Sequence, residues 1–107
     1  MNCKYEKSGE TGLLIFDGEL NAHCSDALME VLMLSVADSE HLVVDLEKVT
    51  VLDPLCFKIF GIACKTAARL KKRLTLTGNK AVELRQSFGT YAVSAEHELV
   101  PAYNGGH

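Results

Sequence analysis

The chain has 107 residues, 48% of them hydrophobic and 23% charged, which suits one globular domain with its own core and speaks against disorder. Its formal net charge is −3 with a pI near 5.7, whereas a nucleic-acid binder carries a basic face, so nucleic acid is not an expected partner. No run reaches the roughly 18 apolar residues of a membrane span, and the first residues lack the apolar stretch of a secretory leader, so a cytoplasmic protein without direct membrane insertion is expected.

Residues 3–7 read as a weak strand, and Ser8 to Gly12 as a hairpin turn. Leu13 to Asp17 is a compact apolar strand ended by Gly18. Asn21 is an N-cap for a helix over about 22–36, with Ala27, Leu28, Val31, Leu32 and Ser35 at helical spacing on its inner face. His41 to Leu46 is short, β-branched and unbroken, as a central parallel strand would be. After Glu47 to Leu52 comes Asp53-Pro54, an N-cap followed by proline at the first helical position, where a missing N–H costs nothing. That second helix is expected to run to about 72. Leu74 to Thr77 is a further strand ending at Gly78. Asn79 then caps a short helix through Phe88, stopped by Gly89. Tyr91 to Val93 reads as an edge strand, and the tail from Ser94 to His107 as holding one helical segment.

Strands alternating with helices imply an α/β fold. The expected architecture is a mixed, mostly parallel sheet of 4–5 strands (by alternation of elements) with an N-terminal hairpin and 3–4 helices. Residues 1–107 form a single domain with its core over about 3–93. The four cysteines, Cys3, Cys24, Cys56 and Cys64, show neither a CxxC pair nor zinc-type spacing, and read as reduced thiols that behave as small hydrophobes. No metal or cofactor is expected.

Three segments, taken in order, resemble the STAS domain, the family of bacterial anti-sigma-factor antagonists. Gly18-Glu19-Leu20-Asn21 looks like the family's turn from strand into first helix. Val43 to Asp53 is similar to its strand–loop–strand ending in aspartate. Leu74 to Val82 resembles its later strand and turn. In the family, that aspartate is followed by small residues, typically Asp-Ser-Ser-Gly, and one serine is phosphorylated by a partner anti-sigma kinase. Here the stretch is Asp53-Pro54-Leu55-Cys56. Leu55, at the position matching the acceptor, has no hydroxyl, so the usual phosphorylation site is absent. Ser25 and Thr50 are the other hydroxyls considered, and neither has a motif around it.

The resemblance implies a non-catalytic signalling module, used in partner switching and transcription regulation. It would bind an anti-sigma factor or kinase-like protein, constitutively or under some other control. The alternative it implies is a cytoplasmic accessory subunit clamped to the ATPase of an ABC-type lipid transport assembly. A second copy of the chain is among the partners left open. The expected contact surface is the start of the second helix: Asp53, Leu55, Cys56, Lys58, Ile59 and Ile62. Leu55, Ile59 and Ile62 lie between an apolar core face and a stripe of Lys58, Lys65, Arg69 and Lys72, so they either grip a partner or widen the core contact. Leu28, Val31, Leu32 and Leu34 serve the inside of the first helix, leaving Met29 and Met33 as core fillers or adaptable contacts. For Asp53 a simple N-cap suffices as explanation.

Catalytic signatures are lacking: the sequence has no Gly-x-Ser-x-Gly elbow, no His-Glu-x-x-His and no P-loop. Two enzyme readings remain, a Cys56–His41 pair across the fold, and a Cys56 thiol activated by the helix dipole.

Overall fold

A computed structural model describes residues 1–81, 84, 91–93 and 98–101, the last two segments as backbone only. Strand β1 (Asn2–Ser8) and strand β2 (Thr11–Leu20) form the opening hairpin, antiparallel with Ser8 opposite Thr11. Between them Gly9 takes φ +63°, a turn position that favours glycine. Along β2 the residues Leu14, Phe16 and Leu20 are buried while Leu13 and Ile15 are half-covered. The period-two alternation thus gives the sheet one core face.

Asn21 does cap the next turn, accepting a hydrogen bond from the His23 N–H at 3.0 Å. That turn is a short 3₁₀ segment over Ala22–Cys24, and helix α1 runs from Ser25 to Asp38, beginning and ending later than its periodicity suggested. Its buried positions are Leu28, Leu32, Ser35 and Val36. Ala27 is exposed and Leu34 is 63% exposed, a correction to their assignment to the core. The two sit seven residues apart, on the stripe facing away from the sheet.

Strand β3 (His41–Leu52) is one long strand where the sequence suggested two pieces. It pairs parallel with β2, and the register slips twice, between Ile15 and Asp17 and between Gly18 and Glu19. At the first slip the Asp45 carboxylate accepts the Glu47 N–H at 2.9 Å, a local turn that lets an extra residue bulge out. Thr50 lies on this strand and is exposed.

Helix α2 (Pro54–Arg69) returns along the sheet, and strand β4 (Arg73–Thr77) pairs parallel with β3. The helix stops three residues before the expected end. Lys71 adopts φ 61°, with its N–H on Ala68 O at 3.0 Å and the Lys72 N–H on Ala67 O at 2.9 Å. This is a Schellman-type ending built without glycine, which hid it from sequence. Leu70, at the end of the helix, is 52% exposed. The Lys72 ammonium instead reaches back to Val36 O at 3.0 Å and Ala37 O at 2.9 Å, closing the carbonyl end of α1.

A further helix opens at Asn79, with 79–81 and 84 helical; its expected end at Phe88 and Gly89 lies outside the described residues. Gly78, at φ +100°, holds the cap position expected of Asn79, and its carbonyl accepts the Ala81 N–H at 3.1 Å. A Cβ at Gly78 would collide with the backbone of Leu46 and Glu47. Strand β5 (Tyr91–Val93) forms the expected edge, and strand β6 (Glu98–Pro101) occupies part of the tail read as helical.

The sheet order is β1-β2-β3-β4-β6-β5. Its centre is parallel; β1 on one side and β6 with β5 on the other are antiparallel. The sixth strand exceeds the four to five expected. Both α1 and α2 cover one face, where Phe16 and Phe60 meet edge to face at 6.0 Å between ring centres.

Candidate protein-binding surface

The site begins where β3 ends. Asp53 is extended (φ −68°, ψ 146°), and its N–H bonds Leu20 O at 2.8 Å, tying the turn to the end of β2. Its carboxylate accepts the Leu55 N–H at 2.8 Å, and its carbonyl accepts the Phe57 N–H at 2.9 Å. Asp53 and Pro54 thus form the N-cap and first position of α2, as their order in sequence implied.

From that fixed start the helix sorts the six expected contact residues into two groups. Leu55 is 45% exposed and Ile62 is 43% exposed, while Lys58 is also exposed. The three fall on one stripe at spacings of three and four, continued by exposed Lys65 and Arg69. Cys56 at 0% and Ile59 at 5% exposure belong to the core with Phe60, Ala63, Cys64 and Ala67. Their assignment to the contact surface is therefore corrected. Ile59 lies about 40° around the helix from Leu55, on the side toward the sheet, and that is enough to bury it. Val51, just before the cap, adds a further apolar side chain at 44% exposure. It is not among the six residues expected from the sequence.

The arrangement is an apolar ridge flanked by positive charge. Hollows among the described residues lie elsewhere, such as one of about 330 Å³ beside Lys7, Glu10, Asp38 and Glu40 and one of about 310 Å³ beside Cys3, Ile15, Asp17 and Lys48. Leu34 on α1 is a separate exposed residue, and Met29 and Met33 pack partly buried against the core. Ser25 is half-buried at the start of α1.

Neither enzyme reading survives the geometry. His41 sits at the far end of β3 from Cys56. Arg73 donates to its Nδ1 at 3.1 Å, so its Nε2–H faces the Thr75 hydroxyl at 2.7 Å. The Cys56 thiol donates to Asn21 O at 3.2 Å. Burial foremost, then the adjacent Cys24 thiol and the Asp53 charge, push Cys56 up to about 12, away from the thiolate that a helix dipole would otherwise favour. Cys24 also donates to Asn21 O, at 3.0 Å. Nothing in the sequence signalled that convergence, because the two cysteines are far apart along the chain. Among the described residues no cluster of three metal-ligating side chains occurs, and no helix is long and apolar enough to cross a membrane.

Comparison with known proteins gives one family pattern, the STAS domain, over residues 2–90. No curated protein sequence matches. Among solved structures, that of the anti-sigma factor antagonist SpoIIAA in its unphosphorylated form is similar, with a TM-score of 0.67 and 13% identity over 79% of this chain and 82% of that one. The phosphorylated form of the Bacillus cell fate determinant SpoIIAA gives 0.67 and 14% over 82% and 86%. An anti-sigma factor antagonist from Mycobacterium paratuberculosis gives 0.65 and 20% over 73% and 67%. At these identities the structural likeness speaks to the fold.

Proposed function

The chain belongs to the STAS domain family, and from that premise we propose that it is a non-catalytic partner-binding module of the anti-sigma-antagonist kind, held in its binding state. The observation that carries this reading is the exposed Leu55 in the first turn of α2. By the resemblance of the segments up to Asp53, this apolar side chain stands where the family's phosphorylatable serine would be. A phosphate at a helix start would alter the surface strongly, through the free N–H groups and the dipole. Leucine cannot accept one, so the surface stays apolar, with Ile62 exposed two turns along the same stripe and Val51 exposed just before the cap. Flanking Lys58 and Lys65 suit a partner with an acidic rim around an apolar centre.

The test is titration of the protein with an ATP-loaded anti-sigma kinase from the same cell, with phosphate transfer followed on radiolabelled ATP. The expected result is a complex without phosphate uptake. Leu55→Asp should weaken it by about tenfold or more, as burial of the remaining leucine surface is lost and a charge must be desolvated. Its thermal midpoint should stay near that of the parent, because the side chain is already half in water. Phosphate on any residue would overturn the unswitched state. Co-purification with an ATPase and its permease, in place of a kinase, would assign the same surface to a transport assembly.

A further inference from the structure

The geometry points to a reversible disulfide between Cys24 and Cys56, a modification site that joins the turn before α1 to the first turn of α2. This goes beyond the reading of the surface and stands without it. Both sulfurs lie on one oxygen: Cys24 Sγ is 3.0 Å and Cys56 Sγ 3.2 Å from Asn21 O. The Cys24 thiol is also within hydrogen-bonding reach of Cys56. Neither backbone is free to drift. Cys24 is held by its own N–H on Asn21 O at 3.1 Å, and the start of α2 by the Asp53 N–H on Leu20 O at 2.8 Å. Oxidation removes both thiol donors from Asn21 O, yet that carbonyl keeps the Cys24 N–H. No polar group is stranded by the change.

The two sulfurs have different parts in the reaction. Cys24 is half-buried and Cys56 fully buried, so a peroxide reaches Cys24 first. Attack by the Cys24 sulfur on hydrogen peroxide forms an S–O bond and breaks the O–O bond, giving a sulfenic acid and hydroxide, which takes up the thiol proton as water. The Cys56 thiol, whose high pKa makes this the slower step, then displaces the oxygen from Cys24. The S–S bond forms as the S–O bond breaks, and the Cys56 proton leaves with the second water. Two thiols lose two electrons, and one peroxide becomes two waters. A thiol reductant reverses the change. In a reducing compartment such a bond is formed only under oxidant exposure.

The experiment treats the reduced full chain with hydrogen peroxide, blocks remaining thiols by alkylation, and maps peptides by mass spectrometry without reduction. The expected product is one intramolecular cross-link between Cys24 and Cys56, lighter by two hydrogens and lost on adding dithiothreitol. Its thermal midpoint should rise by several degrees, as a loop of about thirty residues is closed. Cys24→Ser should abolish both the cross-link and the rise. Cys3→Ser, which removes the exposed thiol on β1, should leave them intact. Recovery of Cys56 as an alkylated free thiol, with Cys24 carried on to sulfinic acid, would overturn the inference. So would cross-links confined to Cys3 between chains.

Discussion

Asp53 offers the sharpest check on how the start of α2 is built. Its side chain accepts a hydrogen bond from the Leu55 N–H at 2.8 Å, while its backbone N–H holds Leu20 O. Asp53→Ala removes the first and keeps the second, so the variant reports the side chain alone. Loss of an N-cap acceptor costs about 1 kcal/mol. Loss of a negative charge at a helix start adds about 0.5 kcal/mol, since this half-buried position is only partly screened. Together, at roughly 4–8 °C per kcal/mol for a domain of this size, the midpoint should fall by about 6–12 °C. Asp53→Asn keeps an acceptor oxygen and loses the charge, so it should fall by only a third or so of that, and the difference should shrink as salt is raised. Urea and thermal melts by circular dichroism, at neutral pH and two ionic strengths, measure both. If Asn falls as far as Ala, or if neither falls, the side chain is not acting as a cap.

Two further outcomes test the frame around the site. Gly78→Ala places a Cβ at φ +100° against the backbone of Leu46 and Glu47, and should cost about 2 kcal/mol or more in urea melts; a near-neutral change would refute the close approach. The Tyr5 hydroxyl donates to Asp38 at 2.8 Å and, ahead of Lys7 and Lys72, holds that carboxyl below its ordinary 3.8 against a smaller opposing effect of burial. Because the folded value lies below the unfolded one, this contribution is complete above pH 3.8 and fades as pH falls through the lower folded value. In Tyr5→Phe the Asp38 resonance, followed by carboxyl NMR, should titrate higher, and an unmoved titration would refute the link.

What sequence revealed was whatever depends on neighbours along the chain. Asp53-Pro54 announced a helix start because both act within one turn. The apolar run of β3 announced a central strand. Sequence failed where the deciding contact is distant or where a rule is satisfied by an unusual residue. The end of α2 was missed because Lys71 takes the left-handed conformation that glycine usually supplies. Ile59 and Leu55 looked equivalent on a helical projection. They stand only about 40° apart around α2, and where the sheet lies decides between them, burying one to 5% and leaving the other 45% exposed. The bulges in β3 could not be read from β3 alone, since they are register slips against β2.

On the proposed reading, the first turn of α2 also limits what could stand in for a serine switch there. A helix start binds an anion through N–H groups left over from the first turn. In this chain proline supplies none at position 54, and the Leu55 N–H is already taken by the Asp53 carboxylate. The helix therefore carries its own anion, covalently fixed, where a phosphate would otherwise draw on those groups. A free phosphate or phosphorylated partner arriving at this end meets a carboxylate at the cap and an apolar side chain in the first turn. Electrostatic capture is thereby disfavoured at the cap, and the positive charge available to a partner lies farther along the helix at Lys58 and Lys65. An apolar contact at Leu55, steered by those lysines, is the interaction that this combination of cap, proline and leucine leaves open.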